Sequence, residues 1–262
     1  MAHAISVVIP VKNEAHNLPA CLESVTWADE VLVADSHSTD GTAQVARQYG
    51  ARVVDFDQPG HLTDKKRWAL EQASHNWVLS LDADERITPG LRDEIAALLR
   101  GEPRHEGYWI GRRNFAFGYE VRHGGWGQDK VIRLFRRDRA RYNDNPAHGQ
   151  LLLDSAAGSL RHSMEHHTYQ SLDEYWVKMR RYAQWSAQAM AEQGRRAGAL
   201  DLLTRPGLRF LRMYVLRGGF RDGGVGLVLA GLAACSVFAK YAQLWLLQHG
   251  GGGAAGDADL NA

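Results

Sequence analysis

The 262-residue chain is short of several things, and each shortage removes a class of protein. Two cysteines, Cys21 and Cys235, cannot build a disulfide framework or a thiolate metal site, and their apolar neighbours predict buried thiols kept reduced. The first residues follow a strand pattern rather than the basic-then-apolar run of a leader, so no secretory signal is expected. Val11-Lys12-Asn13-Glu14 lacks the glycines that a nucleotidyltransferase places near its first strand. No helix-turn-helix, RNA-binding sheet signature or zinc knuckle is recognisable, so nucleic acid is not an expected partner. The uncharged run Val225 to Ala239 falls short of the ~20 residues needed to span a bilayer, and Lys240 ends it. The expectation is a helix buried against the protein or lying partly in an interface.

A 45% hydrophobic content is enough for a sizeable core. The net charge of +1 conceals an asymmetry: between Lys178 and Arg221 ten Lys/Arg stand against only Glu192 and Asp201, leaving the remainder acidic. Aromatic and leucine residues interleave with these cations, which suits an anionic membrane surface; a solvated helix face is the plainer alternative. Leu172 to Gln193 repeats apolar residues at three- and four-residue intervals and predicts an amphipathic helix with an aromatic stripe in the core.

Near the N-terminus, Ile5 to Val11 reads as a strand, Leu18 to Val25 as a helix, and Val31 to Ala34 as a second strand that ends in Asp35-Ser36-His37-Ser38-Thr39-Asp40-Gly41-Thr42. Trp77 to Leu81 is a third apolar run, ending in Asp82-Ala83-Asp84. Such alternation argues for a parallel sheet with ligands at the carboxyl ends of its strands. The polar clusters around Asn13 and Glu14, Asp35 and Asp82 are expected to line one crevice. If the chain stays extended through Asp82 and Asp84, both carboxylates point to one side, and a hard divalent cation on a diphosphate would partner them.

V-V-I-P-V-K-N-E, D-S-H-S-T-D-G-T and L-D-A-D-E-R, in that order and spacing, resemble family 2 glycosyltransferases with the GT-A fold. The likeness continues through Arg133-Leu134-Phe135-Arg136-Arg137 and Arg217-Gly218-Gly219-Phe220-Arg221-Asp222-Gly223, nearest to the bacterial lipopolysaccharide core glucosyltransferase group. It implies an α/β fold with a mostly parallel central sheet, flanking helices and a helical amphipathic C-terminal region. The expected division is a catalytic domain over 1–165, with a nucleotide-sugar half 1–100 and an acceptor half 101–165, then a basic-aromatic membrane-associating region over 166–249 and a loose tail over 250–262.

The same resemblance implies an inverting, metal-dependent transfer of a hexose, with glucose favoured. The donor would be a nucleoside diphosphate sugar such as a UDP-hexose, and the acceptor a lipid-linked saccharide such as the lipopolysaccharide inner core. The enzyme would sit peripherally on the cytoplasmic face of the bacterial inner membrane. A polyprenyl-phosphate glycosyltransferase and a non-catalytic nucleotide-sugar-binding module at the membrane are the alternatives. By its match to the family motif, Asp35 would bind uracil or ribose, Asp82 ribose or metal, and Asp84 the metal, Mg²⁺ or Mn²⁺. His166 would complete the metal shell, with Glu85 orienting the site or opposing a helix dipole. Asp129 is the base candidate, after the glycine-rich Gly124-Gly125-Trp126-Gly127-Gln128; its plainer reading is a turn aspartate. Gln128 stands where many relatives carry Glu, and His148-Gly149 where relatives show His-Glu. Arg133 is expected to contact phosphate because the neighbouring Leu134 and Phe135 look buried, and Arg136 and Arg137 to make surface salt bridges.

Overall fold

In the computed structural model, residues 3–57, 62–127, 129–143 and 150–250 are described; Gln128, His148 and the tail beyond Gly250 lie outside them. The chain divides into two compact units, Met1–Arg113 with Asp129–His166, and Asn114–Gln128 with His167–Ala262.

The first unit opens with β1 (Ile5–Val11), α1 (Leu18–Glu23), β2 (Glu30–Asp35), α2 (Thr42–Gln48), β3 (Arg52–Asp55), α3 (Leu62–Glu71) and β4 (Trp77–Ser80). After β4 come the two-residue β5 (Glu85–Arg86), α4 (Pro89–Arg100), β6 (Gly107–Ala116), β7 (Tyr119–Val121), β8 (Lys130–Arg136), β9 (Ala140–Tyr142), β10 (Leu151–Leu153) and β11 (Gly158–Tyr169). β6 and β11 run on into the second unit, which holds β7. The sheet order is β3-β2-β1-β4-β8-β6-β11-β5, with β7 added on β6; β9 and β10 form a separate hairpin. The first four strands pair in parallel, whereas β4 with β8, β8 with β6 and β11 with β5 are antiparallel. The result is a mixed α/β sheet, parallel where the helical crossovers are and antiparallel beyond.

β1 is buried along its whole length because both faces of the sheet are covered. Val7, Ile9 and Val11 join Leu18, Leu22, Leu91 and Ile95 on one side, while Val8 meets Leu32, Leu70, Val78 and Phe135 on the other. α4 starts where Thr88 accepts the Leu91 N–H at 3.3 Å and Pro89 fills the first turn, and it buries Leu91, Ile95 and Leu99 at four-residue spacing. Cys21 is buried in this core, but Cys235, expected to be buried too, is exposed on the last helix: an apolar sequence neighbourhood does not say which helix face a residue takes.

The second unit is mainly α5 (Leu172–Glu192), α6 (Ala199–Leu211) and α7 (Gly223–Gln248). Ser171 caps α5 by accepting the Glu174 N–H, and Tyr175, Ala183, Ala187 and Met190 are its buried positions. The aromatic stripe expected in the core is mostly exposed, because Trp176 and Tyr182 fall beside the buried line of Tyr175, Ala183 and Ala187. α7 continues through Lys240. Among the described residues the stretch Gly219–Gln248 is one helix long and apolar enough to cross a membrane, yet it packs against α5 and α6. Asp222 accepts from the His123 backbone N–H at 2.8 Å and lies 2.7 Å from His123 Nδ1, so the Arg217-to-Gly223 motif grips the 122–127 loop. The glycines of that loop are filled by this unit's own atoms, not left open for a sugar. A Cβ on Gly127 would collide with the Arg122 carbonyl, and Gly125, at φ 101°, faces Arg217.

Candidate active site

The site forms at the carboxyl ends of β1, β2 and β4. Asn13 sits at φ 54°, a conformation asparagine tolerates, and laces two loops: its N–H donates to Ser38 Oγ and its Oδ1 accepts the Thr39 N–H, both at 2.8 Å. Asp35 is buried and accepts from the Ser38 N–H and hydroxyl, so its carboxylate closes the D-S-H-S turn. The Glu14 carboxylate accepts from Asn17 Nδ2 at 2.8 Å at the entrance to α1. Asp35 and Glu14 are therefore engaged in holding the loops.

Lys65 and Lys66 of α3 were not singled out in the sequence. Lys65 is buried and donates to the Val11 carbonyl at 3.2 Å; burial pushes its ammonium down to about 8 against the pull of Asp35. The signal for both was weak: two adjacent lysines opening an amphipathic helix are most often solvated.

Asp82-Ala83-Asp84 is not extended. The Glu85 N–H donates to the Asp82 carbonyl at 2.9 Å, closing a turn, so the two carboxylates part company instead of sharing one face. Asp82 goes to Lys66 Nζ at 2.7 Å and to Arg133 Nη2. Burial would raise its pKa, but Arg133 and Lys66 hold it well below the usual carboxylate range. Asp84 faces the other way, with Oδ2 3.6 Å from His166 Nε2, and its buried Oδ1 has no hydrogen-bond partner. The β5–β11 pairing sets this contact by placing His166 opposite Glu85, next to Asp84.

Glu85 is fully buried in β5, ahead of α4, so it is no helix-dipole partner. It receives Arg133 Nη2 at 2.7 Å and Arg112 Nη1 at 3.3 Å, and its Oε2 accepts the Asp82 N–H at 3.0 Å. Arg133, expected to reach out to phosphate, is buried between Asp82 and Glu85 because their combined charge outweighs the cost of desolvating one guanidinium. Arg112, also missed in the sequence, continues the chain: its Nε donates to Asp129 Oδ2 at 2.8 Å. Alternating charges thus run Lys66, Asp82, Arg133, Glu85, Arg112, Asp129. Arg136 pairs with Asp138 at the surface, whereas Arg137 donates to the Ala73 carbonyl at 2.6 Å.

The other histidines sort by position. His162 lies 2.8 Å from Glu94 at the surface, and in the second unit His167 stacks on Phe115 at 4.8 Å.

A family model described as glycosyl transferase family 2 matches residues 6–157. The chain belongs to this family. It is 30% identical to the lipopolysaccharide core biosynthesis glycosyltransferase LpsC of Rhizobium meliloti (strain 1021) over 251 residues, 91% of this chain and 93% of that one. A glycosyltransferase of Rickettsia felis (strain ATCC VR-1525 / URRWXCal2) is 27% identical over 252 residues, covering 92% and 89%. Among solved structures, glucosyl-3-phosphoglycerate synthase from Mycobacterium tuberculosis, crystallised with Mn²⁺, UDP and phosphoglyceric acid, is 29% identical over 44% of each chain, with a TM-score of 0.33. This glycosyltransferase therefore carries its family's motifs on a mixed sheet, with Asp84 and His166 on one side of Glu85 and Asp129 beyond Arg112.

Among the described residues no group of three or more His, Cys, Asp or Glu side chains converges as a metal cage. Asp84 and His166 nevertheless form a two-residue donor set, and the unpartnered Asp84 Oδ1 fits a cation that takes its remaining ligands from diphosphate oxygens and water.

Proposed function

We propose that this glycosyltransferase moves a hexose, with inversion, from a nucleoside diphosphate sugar, a UDP-hexose in the first instance, to a lipid-linked saccharide such as the lipopolysaccharide inner core. The observation that carries the reading is the charge chain from Lys66 to Asp129, which ends in a fixed carboxylate and leaves Asp84 turned to His166 beside its Glu85 link. Asp129 takes the proton of the acceptor hydroxyl as that oxygen bonds to the anomeric carbon and the bond to the diphosphate breaks. Arg112 holds the Asp129 carboxylate in direction. Asp84 and His166 would hold Mg²⁺ or Mn²⁺, which supplies charge neutralisation for the departing diphosphate. Asn13 and the Asp35 turn shape the nucleotide end, with Lys65 beneath them.

The acceptor reading rests on the likeness to LpsC and on the second unit's surface. Leu200, Leu203, Leu208 and Leu216 are 60–79% exposed among Arg205, Arg209 and Arg212, a face that suits peripheral docking at the cytoplasmic leaflet. Titration of the full chain with UDP, UDP-glucose, UDP-galactose and GDP-mannose by calorimetry, with Mn²⁺ and then with excess chelator, tests the donor. Metal-dependent binding of one sugar nucleotide is expected; a folded protein that binds none of them overturns the reading.

A further inference from the structure

A cavity of about 370 Å³ lies within the C-terminal unit, walled in part by Trp126, Tyr169, Met213 and Val237. That is the size of a small-ligand pocket. Two cations line it, Arg209 from α6 and Lys240 from α7, and among the described residues neither forms an ion pair with a carboxylate. Lys240 lies 5.0 Å over the ring of its neighbour Tyr241. Burial, with Arg195, Arg205 and Arg209 nearby, lowers the pKa of its ammonium. Half-buried Lys240 and the more exposed Arg209 face one aromatic-walled space with no carboxylate between them, which leaves room for an anion.

The walls narrow the class of anion. Ser236 adds a hydroxyl to the two cations, while Met213, Leu229, Ala233 and Val237 offer nothing to a bare inorganic ion but suit the methylenes next to a headgroup. α6 supplies a second, independent sign: the helix that brings Arg209 to the cavity also exposes Leu208 and Leu211 on either side of it, and none of its residues is buried. A lipid surface receiving those leucines would lie beside the cavity.

We propose that this cavity binds one anionic phospholipid, with its phosphate between Arg209 and Lys240 and its adjoining methylenes along Met213 and Val237. The site deepens the membrane-docking part of the function proposed above, but the donor site has no part in it. A short-chain lipid in solution reads it without any membrane, so its failure and the failure of the transferase reading are separate results.

The test is calorimetric titration of the full chain with dihexanoyl phosphatidylglycerol below its micellar concentration, alongside inorganic phosphate. Saturable one-to-one lipid binding is expected, weakened about tenfold or more in Arg209→Gln and in Lys240→Gln and unchanged in Arg221→Gln, whose cation lies outside the cavity. Arg209→Lys, which keeps the charge, should lose less and serves where a glutamine variant fails to fold by circular dichroism. Phosphate alone should bind at least about tenfold more weakly than the lipid. Absence of saturable lipid binding, equal loss in Arg221→Gln, or phosphate binding as tightly as the lipid overturns the proposal.

Discussion

Arg112 and Asp129 are joined through both side chain and backbone: the arginine Nε donates to Asp129 Oδ2 at 2.8 Å and its Nη2 reaches the same atom, its N–H donates to the Asp129 carbonyl at 2.9 Å, and its Nη1 lies 3.3 Å from the buried Glu85. A carboxylate held this way cannot rotate without breaking a contact to a guanidinium that is itself anchored. The direction of the proposed base is thus set by a residue that need not touch substrate.

Arg112→Gln should lower kcat about 100-fold with little change in donor affinity. Transfer assays with varied donor check this. A fall in donor affinity alone would assign Arg112 to nucleotide binding instead of to positioning Asp129.

Asp84→Asn should remove Mn²⁺ binding by calorimetry and abolish turnover while leaving the thermal midpoint unchanged or raised, because a buried carboxylate oxygen with no hydrogen-bond partner contributes nothing to the apo fold. Wild-type activity in this variant would remove the metal assignment.

Glu85→Gln should destabilise the protein by about 3–5 kcal/mol in urea unfolding, since Arg133 and Arg112 would keep buried guanidinium charge without its central partner. A change below about 1 kcal/mol would mean that Asp82 and Asp129 carry the compensation alone.

Glu30 predicts an acid limb of stability. Burial would raise its pKa, but hydrogen bonds from Ser6, Ser74 and Arg52 lower it to about 2 from its ordinary 4.5. Because the folded form resists protonation, this stabilisation is complete above pH 4.5 and lost as the pH falls toward 2. Glu30→Gln should lower stability at neutral pH by about 1–3 kcal/mol and flatten that limb in urea unfolding followed across pH.

Leu203→Glu, at a residue 79% exposed on α6, should leave the soluble fold and donor binding intact and reduce sedimentation with anionic vesicles about tenfold or more, the loss expected when one leucine no longer enters the apolar layer. Unchanged sedimentation would place docking elsewhere.

What the sequence alone determined is what local periodicity and motif order can carry. The apolar runs of β1, β2 and β4, the helices α1 and α5, the family, and the grouping of polar residues at strand ends are all encoded within a few residues of where they act. Burial at two- or four-residue spacing is a local property, and a resemblance follows motif order along the chain. The partners of the site's charges were decided only by tertiary structure. Arg112 meets Asp129 from 17 residues away and Glu85 from 27, and Arg133 meets Asp82 from 51. No spacing rule reaches across those separations; antiparallel β6 and β8 bring the two arginines to the turn after β4. The extended D-x-D expected from strand alternation failed for the same reason. Once Asp82 is neutralised by cations from α3 and β8, a turn costs little, and the turn sends Asp84 toward His166.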